Sequence, residues 1–235
     1  MIYTNICVNA EDSDTAFEQW YKLLASNTED QSSRDGEVVG EVINAVTVIN
    51  DPTRCIMKNE IRKLPMRYCV GELLWYLSGN NNLSAIQHFS KAWDRMSDDG
   101  ETVNSNYGNL IQTHYGFDQL KMCEKILRDN PNSRQAVIHL KPARNVIDDP
   151  TKDLPCTVSL QFFIRNGKLF LTTYMRSNDI WMGFPYDVFQ FTCMQIYLAM
   201  RLNVDLGTYT HIAGSLHLYK RNFKEVNNED QSDQV

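Results

Sequence analysis

Cys156 stands in Leu154-Pro155-Cys156-Thr157, between a charged stretch and a β-rich run. A thiol at such a junction can open onto a cleft, where a nearby cation favours the thiolate, the nucleophilic form. The commoner alternative is a buried, inert cysteine packed as a small hydrophobe. Glu72 lies in an otherwise apolar segment, and burial there would raise its pKa into the range that suits proton transfer. Taken alone, it also reads as an ordinary surface or helix-start glutamate. Asp187 precedes a long apolar run, where a carboxylate is either a helix cap or a group aimed at a ligand. His217 and Tyr219 are two residues apart in an extended segment, which puts both on one side. Arginines carry forked guanidinium donors that match phosphate oxygens, although each alone is commonly a solvated surface residue.

The elements that must position these groups follow from periodicity. Residues 14–25 read as an amphipathic helix with Phe17, Trp20 and Leu24 on one face and Asp12, Ser13 or Asp14 as its cap. Asn27 to Gly36 is polar and loop-like, and 37–49 reads as a strand. Met66, Val70, Leu73, Leu74 and Leu77 recur at helical spacing until Gly79-Asn80-Asn81-Asn82 stops them. A second amphipathic helix is expected near 115–129, through Phe117, Leu120, Cys123 and Leu127, and a strand at 135–140. Residues 144–153 read as a charged loop. Runs 158–164 and 169–175 are joined by Arg165-Asn166-Gly167-Lys168, a strong hairpin signal. A long apolar helix over roughly 187–202 precedes a strand near 208–215, and the tail from Lys224 is polar and acidic. Strands and helices mix without strict alternation, which predicts an α+β fold with a large, partly antiparallel sheet.

The chain has 235 residues, 43% of them apolar, enough to bury a sizeable core as one domain over 1–223 with a mobile tail at 224–235. The net charge of −6 argues against a nucleic-acid-binding surface, while a few arginines in a cleft can still hold one phosphate. The six cysteines show no Cys-x-x-Cys pair, so free thiols are expected and no zinc site. No apolar run is long enough to span a bilayer and no signal pattern opens the chain. A cytoplasmic protein is the expectation, in a host cell's cytoplasm if a phage encodes it.

Several strings in order resemble the thymidylate synthase family. They are Glu72-Leu73-Leu74-Trp75-Tyr76-Leu77-Ser78-Gly79, Ala92-Trp93-Asp94, Asn106-Tyr107-Gly108 and Asn132-Ser133-Arg134. The order continues with Leu154-Pro155-Cys156, Gln161-Phe162, Arg176-Ser177-Asn178-Asp179, Gly183-Phe184-Pro185 and Gly214-Ser215-Leu216-His217-Leu218-Tyr219. The match runs in register from about residue 16 to 223. Asn104-Ser105-Asn106-Tyr107-Gly108, Met175-Arg176-Ser177-Asn178-Asp179 and Gly214-Ser215-Leu216-His217 are closer to the deoxycytidylate hydroxymethylases. Asp187 is the most telling position, because methylating relatives carry Asn there. A primary amide complements uracil's O4 acceptor and N3–H donor. A carboxylate accepts from cytosine's N4 amino group and favours a proton on N3.

The resemblance implies a large mixed or antiparallel sheet packed with helices, with a sheet face used for dimerisation. It further implies a 5-hydroxymethyltransferase acting on dCMP or CMP with 5,10-methylenetetrahydrofolate as co-substrate and no metal. Cys156 would attack C6, Glu72 would manage protons and ordered water, and Tyr107 would stand near the reacting carbons. Arg34, Arg176 and Ser177 would hold the phosphate, with Arg134 reaching from a second subunit. His217 and Tyr219 would bind the sugar hydroxyl. Asp179, Trp93 and Gly183, together with Glu72, would face the folate. Alternatives are a dUMP methylase or hydroxymethylase, and a non-catalytic nucleotide- or RNA-binding relative. Three departures stand out: Gln135 replaces a second arginine, Thr157 replaces a histidine, and the chain ends soon after Tyr219, where relatives continue into a segment that closes over folate.

Overall fold

The computed structural model describes residues 3–26, 31–33, 36–142 and 153–223. Arg34, most of the expected charged loop and the acidic tail lie outside the described residues. Among those described, a nine-stranded mixed sheet forms the frame. Its main path runs β1 (Tyr3–Thr4), β4 (Val38–Ile49), β9 (Asp205–Tyr219), β7 (Lys168–Met175), β6 (Thr157–Arg165) and β5 (Val137–His139). Strands β2 (Cys7–Ala10) and β3 (Gln31–Ser32) also pair with β4, and β8 (Asn178–Asp179) pairs with the end of β9. The β4–β9 and β6–β7 ladders are antiparallel, while β7 and β9 run parallel. The fold is α+β, with helices packed on the large sheet.

Asn166 and Gly167 both have positive φ, 49° and 72°, as the two central residues of a tight hairpin require. That turn sets the β6–β7 register, which buries Leu160, Phe162, Leu169 and Leu171 together. Alternate residues on β7 point away from this core: Phe170 and Thr172 are half-buried and Tyr174 is exposed. Helix α1 (Ser13–Ser26) starts where the Asp12 carboxylate accepts from Thr15 N at 2.8 Å, and it buries Phe17, Trp20, Tyr21 and Leu24. Trp20 Nε1 donates to Thr47 Oγ1 at 2.8 Å, tying that helix to β4.

The remaining helices are α2 (Met66–Ser78), α3 (Leu83–Gln87), α4 (Tyr107–Gln112), α5 (Gln119–Asp129) and α6 (Phe184–Leu202). Helix α2 forms where its spacing predicts, yet it turns Val70, Leu74 and Leu77 outward. Its inner face carries Cys69, Gly71, Glu72, Trp75 and Tyr76 instead. Helix α5 begins four residues later than expected, because Asp118 caps it and Phe117 is left exposed. Helix α6 begins three residues earlier, with Pro185 in its first turn, so Asp187 lies inside the helix rather than capping it. Strand β9 is much longer than the expected 208–215, since Asp205–Tyr219 finds partners along its whole length.

Candidate active site

The C-terminal part of β9, the start of β4, helix α2, the N-termini of α4 and α6, and the ends of β6 and β7 surround one cleft of about 1140 Å³. Cys156 lies in its wall, immediately before β6. Arg176, just after β7, grips the loop that carries this thiol. Its Nε donates to Pro155 O at 3.2 Å, its Nη2 to Leu154 O at 3.0 Å, and its backbone N–H to Cys156 O at 2.9 Å. Burial pushes the Cys156 thiol above its ordinary pKa. Arg176 pulls it down, but Asp187 and Asp153 push up alongside burial, so the net direction is upward.

Two carboxyls face the same cleft, Glu72 buried and Asp187 half-buried. Glu72 is pushed up to about 7 by burial, against the pull of its hydrogen-bond partners. Tyr68 Oη donates to Glu72 Oε1 at 2.6 Å, and Gln190 Nε2 donates to Oε2 at 3.0 Å. Trp93 Nε1 donates in turn to Tyr68 Oη at 3.0 Å, which links the cleft's indole to the acid through one hydroxyl. Asp187 is pushed up to about 8 by burial first and by the charge of Glu72 second, while Asn178 works against both. Asn178 Nδ2 donates to Asp187 Oδ2 at 2.8 Å. Gly183 leaves room for that bond, since a Cβ there would lie 2.7 Å from Asn178 Nδ2.

Tyr107 is buried at the head of α4, and its hydroxyl accepts from Thr157 N at 3.4 Å. Thr157 itself is fully buried, and its Oγ1 finds no hydrogen-bond partner among the described residues. Asp179 lines the cleft while its Oδ1 accepts from Trp181 N at 2.7 Å and Met182 N at 3.2 Å, so one oxygen serves the turn before α6. Burial raises its pKa. His217 and Tyr219 meet edge to face at 5.3 Å on β9, and burial lowers the His217 pKa, leaving a neutral ring at neutral pH. Ser177 also faces this cleft.

Cys156, Glu72, Asp187, Tyr107, Arg176, Ser177, Asp179, Trp93, Gly183, His217 and Tyr219 thus converge on one space. Arg134 does not join them. It is exposed, and its carbonyl accepts from Gln161 Nε2 at 3.0 Å. Sequence reasoning missed Tyr68, Gln190 and Glu41. Tyr68 is four residues before Glu72, a helical spacing that brings the two side chains together and could have found it. Glu41 lines the cleft opposite His217 in the β4–β9 ladder, and Ser215 Oγ donates to its Oε1 at 2.5 Å. Among the described residues, no three His, Cys, Asp or Glu side chains converge as a metal site.

A thiol and two carboxyls, Glu72 buried and Asp187 half-buried, around one large cleft give this α+β protein the groups that nucleophilic chemistry on a small molecule requires. The thymidylate synthase family model matches residues 15–233, and the chain belongs to that family. It is 31% identical over 196 residues to a deoxyuridylate hydroxymethyltransferase of Bacillus phage SP01. That match covers 78% of this chain and 51% of the relative, so the chain spans about half the relative's length. Its fold is similar to thymidylate synthase from T4 phage, with a TM-score of 0.70 at 22% identity, covering 87% of this chain and 76% of that one.

Proposed function

We propose that the chain transfers a one-carbon unit to C5 of a cytosine nucleotide, turning dCMP or CMP into its 5-hydroxymethyl derivative. The co-substrate on this reading is 5,10-methylenetetrahydrofolate, which supplies one carbon at the formaldehyde level and leaves as tetrahydrofolate. The cleft suits two ligands side by side: its volume exceeds the roughly 300–1,000 Å³ that one drug-sized molecule uses. Trp93 and Asp179 fit the folate end, while His217 and Tyr219 fit the sugar.

The observation that carries the reading is Asp187, a half-buried carboxyl in the same cleft as the Cys156 thiol. Sγ adds to C6 as the thiolate, with Arg176 favouring that form. The electron pair of the C5–C6 double bond moves toward C5 and the N3 edge, where the proton shared with Asp187 offsets the developing charge. C5 then bonds to the one-carbon unit, and loss of the C5 proton breaks that unit's remaining carbon–nitrogen bond, releasing tetrahydrofolate and leaving an exocyclic methylene. Water adds to that methylene and gives up a proton. Glu72, held near neutrality by burial, is placed to take and return protons at this stage. The C5–C6 double bond re-forms as the Cys156 thiolate departs. In sum, nucleotide, methylene donor and water give hydroxymethyl nucleotide and tetrahydrofolate.

The phosphate falls to Arg176 and Ser177, with Arg34 and an Arg134 from a second subunit as further donors. The half-open face of the sheet at Phe170, Thr172 and Tyr174 is the surface through which we propose that dimer forms. A uracil nucleotide is the second reading, favoured by the name of the phage relative. Offering dCMP, CMP and dUMP with the folate and weighing each product tests both. A hydroxymethyl product from dCMP or CMP is expected, and Asp187→Asn should move preference toward dUMP. Turnover of dUMP alone by the unaltered protein would overturn the cytosine assignment.

A further inference from the structure

Behind Asp187 lies a line of buried polar groups that the proposed chemistry does not touch. Asn178, His211 and Tyr209 are 3%, 1% and 0% exposed. Asn178 Oδ1 lies 3.1 Å from His211 Nε2, and His211 Nδ1 lies 2.8 Å from the Tyr209 hydroxyl. Burial drives the His211 pKa down to about 3, so the ring is neutral and carries one proton. An amide oxygen only accepts, so that proton sits on Nε2 and the bare Nδ1 accepts from Tyr209. With the ring in this tautomer the amide oxygen is engaged and the amide N–H is left to Asp187 Oδ2.

The direction of this amide matters for base choice. An ionised carboxylate offers two acceptors, which suit cytosine's amino group and a protonated N3 but give uracil's O4 no donor. A protonated carboxyl offers one donor and one acceptor, and either base can meet that pair. The other groups around Asp187 do nothing to keep it charged. Glu72 and Tyr76 face it from α2, Tyr107 from α4, Cys156 from the loop before β6, and Tyr209 from β9. All are acidic groups, and none is a cation. An Asn178 turned end for end would present its oxygen and favour the protonated acid.

We propose that Tyr209, His211 and Asn178 act as a relay of positioning residues that favours the ionised, acceptor-only form of Asp187 and so disfavours uracil nucleotides. Gly183 belongs to the same device, because a side chain there would displace the Asn178 amide. The relay's effect on base choice rests on the cytosine reading; its effect on the charge of Asp187 does not.

The test uses Asn178→Ala, His211→Phe and the milder Tyr209→Phe, which removes one oxygen three hydrogen bonds from Asp187. The Asp187 carboxyl is titrated by carbon NMR in the ligand-free protein, and kcat/KM is measured for dCMP and dUMP. The midpoint of Asp187 should rise by about one pH unit or more in every variant that keeps the fold. The dCMP:dUMP ratio should fall about tenfold, chiefly through gained dUMP turnover. An unmoved midpoint in Tyr209→Phe overturns the relay whatever the nucleotides do. A loss of turnover equal for both nucleotides would show a merely structural role and overturns it too. If the unaltered protein leaves dCMP untouched, the cytosine reading fails, and the titration alone decides the relay.

Discussion

Glu72 illustrates how a proton-transferring side chain weakens the fold that holds it. A free glutamate titrates at 4.5, and burial in α2 moves this one to about 7. Between those values the folded chain keeps a proton that the unfolded chain has released. Stability therefore falls as pH rises from 4.5 through about 7, and levels off beyond it. Asp187 acts with the same sign from 3.8 to about 8. Glu72→Gln removes the first contribution, so its urea-unfolding free energy should decline less between about pH 5 and about pH 8, by roughly 2–3 kcal/mol. Parallel pH profiles for the two proteins would show that Glu72 is not held protonated. The same variant should lower kcat by roughly 10²-fold or more if Glu72 moves protons in the reaction.

At the scale of elements, the cleft depends on how closely α2 and α4 approach. Gly108 sits against the end of α2, where a Cβ would lie 2.0 Å from Tyr76 O. Gln112 Nε2 donates to that carbonyl at 2.7 Å, and Asn109 Nδ2 to Gly79 O at 3.2 Å, so two side chains of α4 tie it to the end of α2. Gly108→Ala must push the helices apart, at a cost of about 1–3 kcal/mol or more. Because Glu72 rides on one helix and Tyr107 on the other, kcat should fall along with Tm. A variant that keeps both would show that the two helices are free to shift. Little of this is legible in the sequence. The Asn166-Gly167 hairpin is, because two positive-φ positions demand those residue types locally. The inner face of α2 is not: its Trp75, Tyr76 and Glu72 are chosen by a cleft, while Val70, Leu74 and Leu77 on the outer face imitate a core stripe. Asn178, too, becomes meaningful only when β8 and β9 set it beside His211.

At the scale of the whole molecule, Arg134 poses a question that one subunit does not answer. Every other candidate site residue among those described lines the cleft, whereas Arg134 is exposed and outside it. A phosphate role for Arg134 therefore requires a second copy whose arginine reaches across, and a two-fold dimer supplies that contact twice. Cys156→Ala subunits lack the nucleophile, and Arg134→Ala subunits lack the donated arginine. In a dimer of one of each, the site built on the Arg134→Ala subunit keeps its own Cys156 and receives an intact Arg134. At nucleotide concentrations well below the KM of the Arg134→Ala protein both parents are nearly inactive, and unfolding and refolding an equal mixture should restore about a quarter of the sites. Arg134→Ala alone should raise KM for the nucleotide far more than it lowers kcat, since a phosphate contact holds ground state and transition state alike. A mixture no more active than the sum of its parents would place the arginine's role, and the dimer's part in the site, elsewhere.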